Sequence, residues 1–262
     1  MSTFKRENSL KMDQGRFQRL SEITSAMQEE GLYKCGLIFG IDYTMSNKVQ
    51  GEKTFGGKCL HDISEDELNP YQEVITILGE TLQPLDEDGL IPAFGFGDSR
   101  TKGDAIFPLK DVGSCVGFRD VLATYNRVTP TVKLYRPTNF APLIYKAINI
   151  VRATKKYHIL VIAADGQVNS EEETTAAIVE ASNWPLSIVT VGVGDGPWGT
   201  MNEFDNKLPK RNFDNFQFLC FQDVVDGARN RKTAFALHAL MEIPDQYAAI
   251  EQLGLMEKLE DE

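Results

Sequence analysis

The chain has 262 residues, which allows one sizeable domain with appended helices or two small ones. Its 42% hydrophobic and 25% charged residues are ordinary globular values and exclude wholesale disorder. A formal charge of −11 repels nucleic-acid phosphates and anionic lipid headgroups, so neither is expected as the main partner; the charge reads first as a solvated acidic surface, with attraction of a basic partner or a cation as the lesser alternative.

Met1 to Gly15 lacks the continuous apolar core of a signal peptide, and no later apolar run approaches the roughly 20 residues of a membrane span. Cys35, Cys59, Cys115 and Cys220 are scattered without a C-x-x-C pair that would hold zinc. A reducing, cytoplasmic location is expected, with two disulfides as the lesser alternative and membrane association only through a partner.

In chain order, Phe17 to Tyr33 carries apolar residues at helical spacing and predicts an amphipathic helix. "CGLIFGID" reads as a strand buried on both faces. "NPYQEVITILGETLQPLD" predicts a helix, with Pro70 in its first turn and Pro84 near its end. "LIPAFGFGD" reads as a strand, "GFRDVLATYNRV" and "FAPLIYKAINIVRAT" as helices, and "YHILVIAAD" as a second fully buried strand. "SEEETTAAIVEASNW" predicts a serine-capped helix with an acidic first turn. "LSIVTVGVGD" is a third buried strand, "TMNEFDNKL" a short helix and "NFQFLCF" a last strand at the sheet edge. The tail after Asp226 predicts one or two helices broken near Pro244.

Buried strands alternating with amphipathic helices predict an α/β fold, doubly wound around a mainly parallel central sheet flanked by helices. Ligands of such sheets bind at the carboxyl ends of the strands. Four strands end in aspartate there: Asp42, Asp98, Asp165 and Asp195. One such aspartate is more often a cap or turn residue than a ligand. Several together, without matching Lys or Arg, would repel one another, and a divalent cation relieves that repulsion. Asp42, Thr44 and Ser46 offer oxygen donors alone, which excludes soft metals and suits Mg²⁺ or Mn²⁺.

"GIDYTMSN", "NPYQEVITILGETLQP", "IPAFGFGD", "PTNFAPLI" and "ADGQV", in this order, resemble the von Willebrand factor A-type domain of the copine family. The likeness spans roughly Gly31 to Val225, with a helical extension over 1–33, the A domain over 34–225 and a helical tail over 226–262. It implies a metal-ion-dependent adhesion site in which Thr44 replaces the usual serine of D-x-S-x-S. Thr44 and Ser46 would be direct ligands, Thr138 the second-loop ligand, and Asp42 and Asp165 the carboxylates. It further implies Mg²⁺ or Mn²⁺ with one open position, filled by water or by an acidic side chain of a partner protein. The implied role is a metal-dependent adaptor and not an enzyme. Copines also carry C2 domains, and a related plant group carries a RING ubiquitin-ligase domain; neither is found in this chain. A part of a ubiquitin-ligase or phospholipid-binding system is therefore the alternative, beside a structural A domain with a vestigial site.

Enzymatic motifs fit poorly. A haloacid-type aspartyl nucleophile needs a second aspartate where Thr44 stands. "GDGPWG" matches G-x-G-x-x-G, but Asp195 opposes a pyrophosphate and Pro197 has no amide to donate, so a turn near the sheet edge is expected. "GSCVG" around Cys115 has the form of a nucleophile elbow without a leading strand, and its only histidine candidate in a loop is His61.

Overall fold

The computed structural model describes residues 17–86, 88–166 and 168–261. Its strands are β1 (Gly36–Asp42), β2 (Leu90–Ile91), β3 (Ala93–Phe96), β4 (Ile106–Pro108), β5 (Cys115–Val116), β6 (His158–Ala164), β7 (Leu186–Gly192) and β8 (Phe216–Cys220). Its helices are α1 (Leu20–Glu29), α2 (Pro70–Leu82), α3 (Gly117–Val128), α4 (Ala141–Thr154), α5 (Glu171–Ala181), α6 (Gly199–Lys207), α7 (Phe221–Val225), α8 (Arg231–Leu240), α9 (Ile243–Gln252) and α10 (Leu255–Asp261).

Strands β1, β6 and β7 are the mainly apolar runs, and the structure buries both of their faces. Alternation divides them: Leu37, Phe39, Ile41, Ile159, Val161, Val189 and Val191 face one hydrophobic cluster, while Ile38, Leu160, Ile162 and Ile188 face the other. Helices α1, α2, α3, α8 and α9 contribute to the first cluster, and α4, α5 and α6 to the second. Each such Leu, Ile or Val contributes roughly 1.5–3 kcal/mol through burial, which is why these strands form the centre of the sheet. Gly40 lets α4 approach β1 closely, because a Cβ there would meet Leu143 Cδ2 at 2.2 Å.

The six-stranded sheet runs β4-β3-β1-β6-β7-β8. All neighbours are parallel except β3 and β4. The fold is thus the expected doubly wound, mainly parallel α/β sheet, with β8 at an edge. From β1 the chain crosses to β3 on one side and later returns to β6 on the other, so the winding reverses between β1 and β6. Their carboxyl ends, Asp42 and Ala164, flank the crevice where such sheets bind ligands.

Three expected elements differ. "LIPAFGFGD" is two strands, because Pro92, with no N–H to donate, separates β2 from β3; β2 pairs with β5 in a separate two-stranded sheet. The tail forms three helices, and Pro244 lies in the first turn of α9, where its missing N–H costs nothing. Ser170 occupies the N-cap position of α5 but makes no capping bond; its N–H instead donates to the Thr138 carbonyl at 3.4 Å. Among the described residues no helix is long and apolar enough to cross a membrane, and all four cysteines are unbridged.

Candidate metal centre

Asp42 closes β1, and its carboxylate Oδ1 accepts the Thr44 N–H at 2.7 Å, an Asx turn that bends the chain off the sheet. The chain then enters a 3₁₀ turn, Met45–Lys48, which carries Ser46 and Asn47. A hydroxyl relay follows: Thr44 Oγ1 lies 3.0 Å from Ser46 Oγ, which donates to Asp165 Oδ1 at 3.0 Å. Asp165 directly follows β6, so four of the five expected residues converge across the β1/β6 crevice.

Each carboxylate retains one oxygen without a donor. Asp42 Oδ2 and Asp165 Oδ2 are both buried and unpartnered among the described residues, where a missing bond exacts the full desolvation penalty of the group. Burial raises the Asp42 carboxyl to about 6 against the donors from Thr44. Asp165 is raised well above the ordinary carboxyl range, first by burial and then by the Asp42 charge. The pair therefore resists double ionisation unless a cation is supplied. Among the described residues no group of three or more His, Cys, Asp or Glu side chains could hold a metal, so a cation here would depend on the hydroxyls. Two carboxylates and two hydroxyls form a hard-oxygen set that fits Mg²⁺ or Mn²⁺ and suits thiophilic metals poorly.

Thr138 is buried in the loop before α4. Its N–H donates to Asn169 Oδ1 at 2.9 Å and its carbonyl accepts the Asn169 N–H at 2.9 Å. These bonds tie its loop to the one that carries Asp165. Its hydroxyl makes no hydrogen bond to the other four residues, so its link to the group runs through the backbone.

Asp98 and Asp195 do not join the cluster. Asp98 folds back on its own turn, accepting the Arg100 N–H at 3.1 Å and the Thr101 N–H at 3.0 Å. Asp195 accepts the Lys53 and Thr54 N–H groups at 2.8 and 3.0 Å and the Thr54 hydroxyl at 2.7 Å. It latches the loop after the 3₁₀ turn onto the end of β7. "GDGPWG" is thus a turn beside the sheet edge, as expected from Asp195 and Pro197.

Beneath Asp42 lies a buried aromatic support for which the sequence carries no signal. His61 lies in a loop, as expected, but it is not free to act as a base: it is 7% exposed and stacked between Tyr71, with centroids 4.2 Å apart, and Tyr43, at 4.7 Å. Its Nε2 lies 2.8 Å from the Asp42 carbonyl and its Nδ1 2.8 Å from Tyr125 Oη. A carbonyl only accepts, so Nε2 carries the proton and Nδ1 accepts from the phenol. Burial holds the ring neutral, with its pKa lowered to about 4. Tyr71 donates its one O–H to Asn47 Oδ1 at 2.7 Å and shares it with the Asp42 carbonyl at 3.2 Å. Asn47 Nδ2 donates to the carbonyls of Asp42 and Thr44 at 3.2 and 3.1 Å. Tyr71 is placed by the capping box of α2, in which Asn69 Oδ1 accepts from Gln72 N and Gln72 Oε1 accepts from Asn69 N. Cys115, within β5, is buried with its thiol 3.9 Å from Thr124 Oγ1, and its pKa is raised chiefly by burial, so it is no activated nucleophile.

The copine family model matches residues 59–259. The chain is 52% identical to Copine family protein 2 of Caenorhabditis elegans over 92% of its own length and 3% of that protein's. It is 48% identical to the E3 ubiquitin-protein ligase RGLG4 of Arabidopsis thaliana, over 93% of this chain and 65% of the ligase. The chain thus spans less than two thirds of either relative. The expectation of a non-enzymatic chain gains no support from a relative named as a ligase. Among solved structures, a von Willebrand factor type A protein from Catenulispora acidiphila matches with a TM-score of 0.47 and 12% identity, over 82% of this chain and 43% of that one. By family model and sequence identity, this chain belongs to the copine family.

Proposed function

We propose that the chain is a metal-dependent protein-interaction domain, in which Asp42, Thr44, Ser46, Thr138 and Asp165 hold Mg²⁺ or Mn²⁺ and leave one position open for an acidic side chain of a partner. The observation that carries this reading is the pair of buried, unpartnered oxygens Asp42 Oδ2 and Asp165 Oδ2 at the β1/β6 crevice. A divalent ion would supply positive charge to a carboxylate pair that no lysine or arginine among the described residues neutralises, and the hydroxyls of Thr44 and Ser46 would complete an uncharged part of the shell. Such a set leaves the ion partly uncompensated, which favours capture of a further carboxylate. Titration calorimetry with Mn²⁺ tests the reading: binding by the parent and its loss in Asp165→Asn support it, whereas equal binding by both proteins refutes the assignment.

A second reading follows from the 48% identity to a named ubiquitin ligase. In it, the domain recruits the protein to be modified while a separate segment carries out the transfer. Fusion of the chain to a RING domain, assayed for ubiquitin transfer to captured proteins with Mn²⁺ or EDTA, tests this. Transfer that ignores the chelator refutes it.

A further inference from the structure

We infer that the cavity beside the metal loop is a specificity pocket, which takes an apolar side chain from the same partner segment that offers its carboxylate to the ion. The inference rests on the metal reading above and adds the chemistry of the partner: an acidic segment with an aliphatic or aromatic residue close to the acid.

The cavity measures about 420 Å³ and is lined by Met45, Tyr135, Arg136 and Pro137. Its walls are the flanks of the metal site. Met45 stands between Thr44 and Ser46, and Pro137 immediately precedes Thr138. The two loops are joined by a bridge pairing Thr44 with Tyr135 and by the Met45 N–H donating to the Tyr135 carbonyl at 2.6 Å. An occupant of the cavity therefore lies against the same loops as an occupant of the metal position.

The backbone that carries the exposed aromatic here is fixed in place. Tyr135 is 44% exposed, yet its N–H donates to the Gly97 carbonyl at 3.0 Å and Ser99 N–H donates to the Lys133 carbonyl at 2.8 Å. Leu134 pairs with Asp98 in a further bridge. A backbone already pinned has little further backbone entropy to lose when the ring it presents is covered. Methionine, tyrosine and arginine are residues enriched in interface cores.

Charge selects the occupant. In a chain of net charge −11, Arg136 is exposed at the cavity wall and has no acidic partner among the described residues. It and the cation would together favour an acidic segment over a neutral or basic one, mainly through association rate. The neighbouring cavity of about 440 Å³ has Asp104 and Glu173 in its lining together with Tyr145, so it has the opposite polarity and serves as a control.

The probe is a phage-displayed random peptide library, panned on the immobilised chain in Mn²⁺ and released with EDTA. Released clones are expected to be enriched in Asp or Glu within a few residues of Leu, Ile, Phe, Tyr or Trp. A synthetic peptide from the strongest clone should bind Tyr135→Ser and Arg136→Gln about tenfold more weakly, while Tyr145→Ser binds as the parent does. Mn²⁺ affinity and the unfolding midpoint should stay the same in all three variants. If the chain binds Mn²⁺ but yields no EDTA-released clone, the pocket is refuted and the metal reading stands. The pocket also falls if acidic clones lack apolar neighbours, or if the peptide ignores both Tyr135→Ser and Arg136→Gln. Failure of the parent to bind Mn²⁺ overturns the metal reading and the pocket together.

Discussion

His61 Nε2 lies 2.8 Å from the backbone carbonyl of Asp42, and this bond fixes the last peptide of β1 from below. The carbonyl also accepts from Asn47, and the Tyr71 hydroxyl lies 3.2 Å away, so three side chains from three segments surround one oxygen. The carboxylate above is thereby aimed before any cation arrives. Supporting bonds of this kind typically change metal affinity by about 10–100-fold when removed.

His61→Ala should therefore weaken Mn²⁺ binding by about tenfold or more. It should also lower stability by about 2–4 kcal/mol, because a ring stacked between Tyr43 and Tyr71 leaves a cavity and the Tyr125 hydroxyl loses its acceptor. Calorimetry and urea unfolding measure the two effects. A variant that loses stability yet keeps parental Mn²⁺ affinity would show that the ring supports the core and not the site.

Acid should act on the metal-free site in a defined direction. The folded pKa of Asp42 is raised from 3.8 to about 6, so the folded protein holds its proton more tightly than the unfolded chain. Its contribution is present in full below pH 3.8 and is lost as pH rises through about 6. The neighbouring Asp165 is shifted the same way. In EDTA, parent stability relative to Asp42→Asn should fall with rising pH across this window, by at most about 1.4 kcal/mol per pH unit for a single proton. Mn²⁺ should reverse the trend for the parent alone, since binding needs the ionised pair. Urea unfolding over the pH range measures the difference, and a pH-independent difference would contradict the burial argument.

The parts legible in the sequence were those set by local pattern. Strands β1, β6 and β7 announce themselves because burial on both faces leaves no room for polar alternation, and Asp42 and Asp165 follow from strand ends. Asp98 carries the same signature as Asp165, yet the structure uses it in a turn. The distinction is tertiary: Ser46 reaches Asp165 across the crevice, whereas the Arg100 and Thr101 amides reach Asp98 from its own loop. His61, Tyr71 and Tyr125 come from a loop and two helices and share no spacing, so their convergence under Asp42 had no sequence signal. Asn47, within "DYTMSN", had a weak one, since asparagine readily ties nearby backbone in turns.

Asp195 should prove to be a latch and not a ligand. Burial alone would raise its carboxyl, but the Lys53 and Thr54 donors outweigh burial and hold it below the ordinary range. Asp195→Ala removes the acceptor for all three donors. Amide exchange at Lys53 and Thr54 should accelerate by about tenfold or more, with Mn²⁺ affinity reduced far less than in Asp165→Asn. Exchange mass spectrometry and calorimetry on both variants give the comparison. An equal loss of affinity would return Asp195 to the ligand set.

Gly97 provides a steric test of the metal loop. It has φ +76, a conformation costly for a side chain, and a Cβ there would meet Thr44 Cγ2 at 2.3 Å. Relief requires Thr44 to move, because the Thr44 N–H is committed to Asp42 and its hydroxyl to Ser46. Gly97→Ala should thus cost about 1–3 kcal/mol in backbone strain and also disturb the hydroxyl relay. The three atoms nearest a Cβ at Gly40 all belong to Leu143 of α4, so Gly40→Ala should cost stability through overpacking while leaving the relay in place. With unfolding and Mn²⁺ titration measured on both, Gly97→Ala should show the larger loss of affinity for each kcal/mol of stability lost. The reverse order would mean that Thr44 contributes little to holding the ion, and that the two carboxylates and Ser46 carry the site.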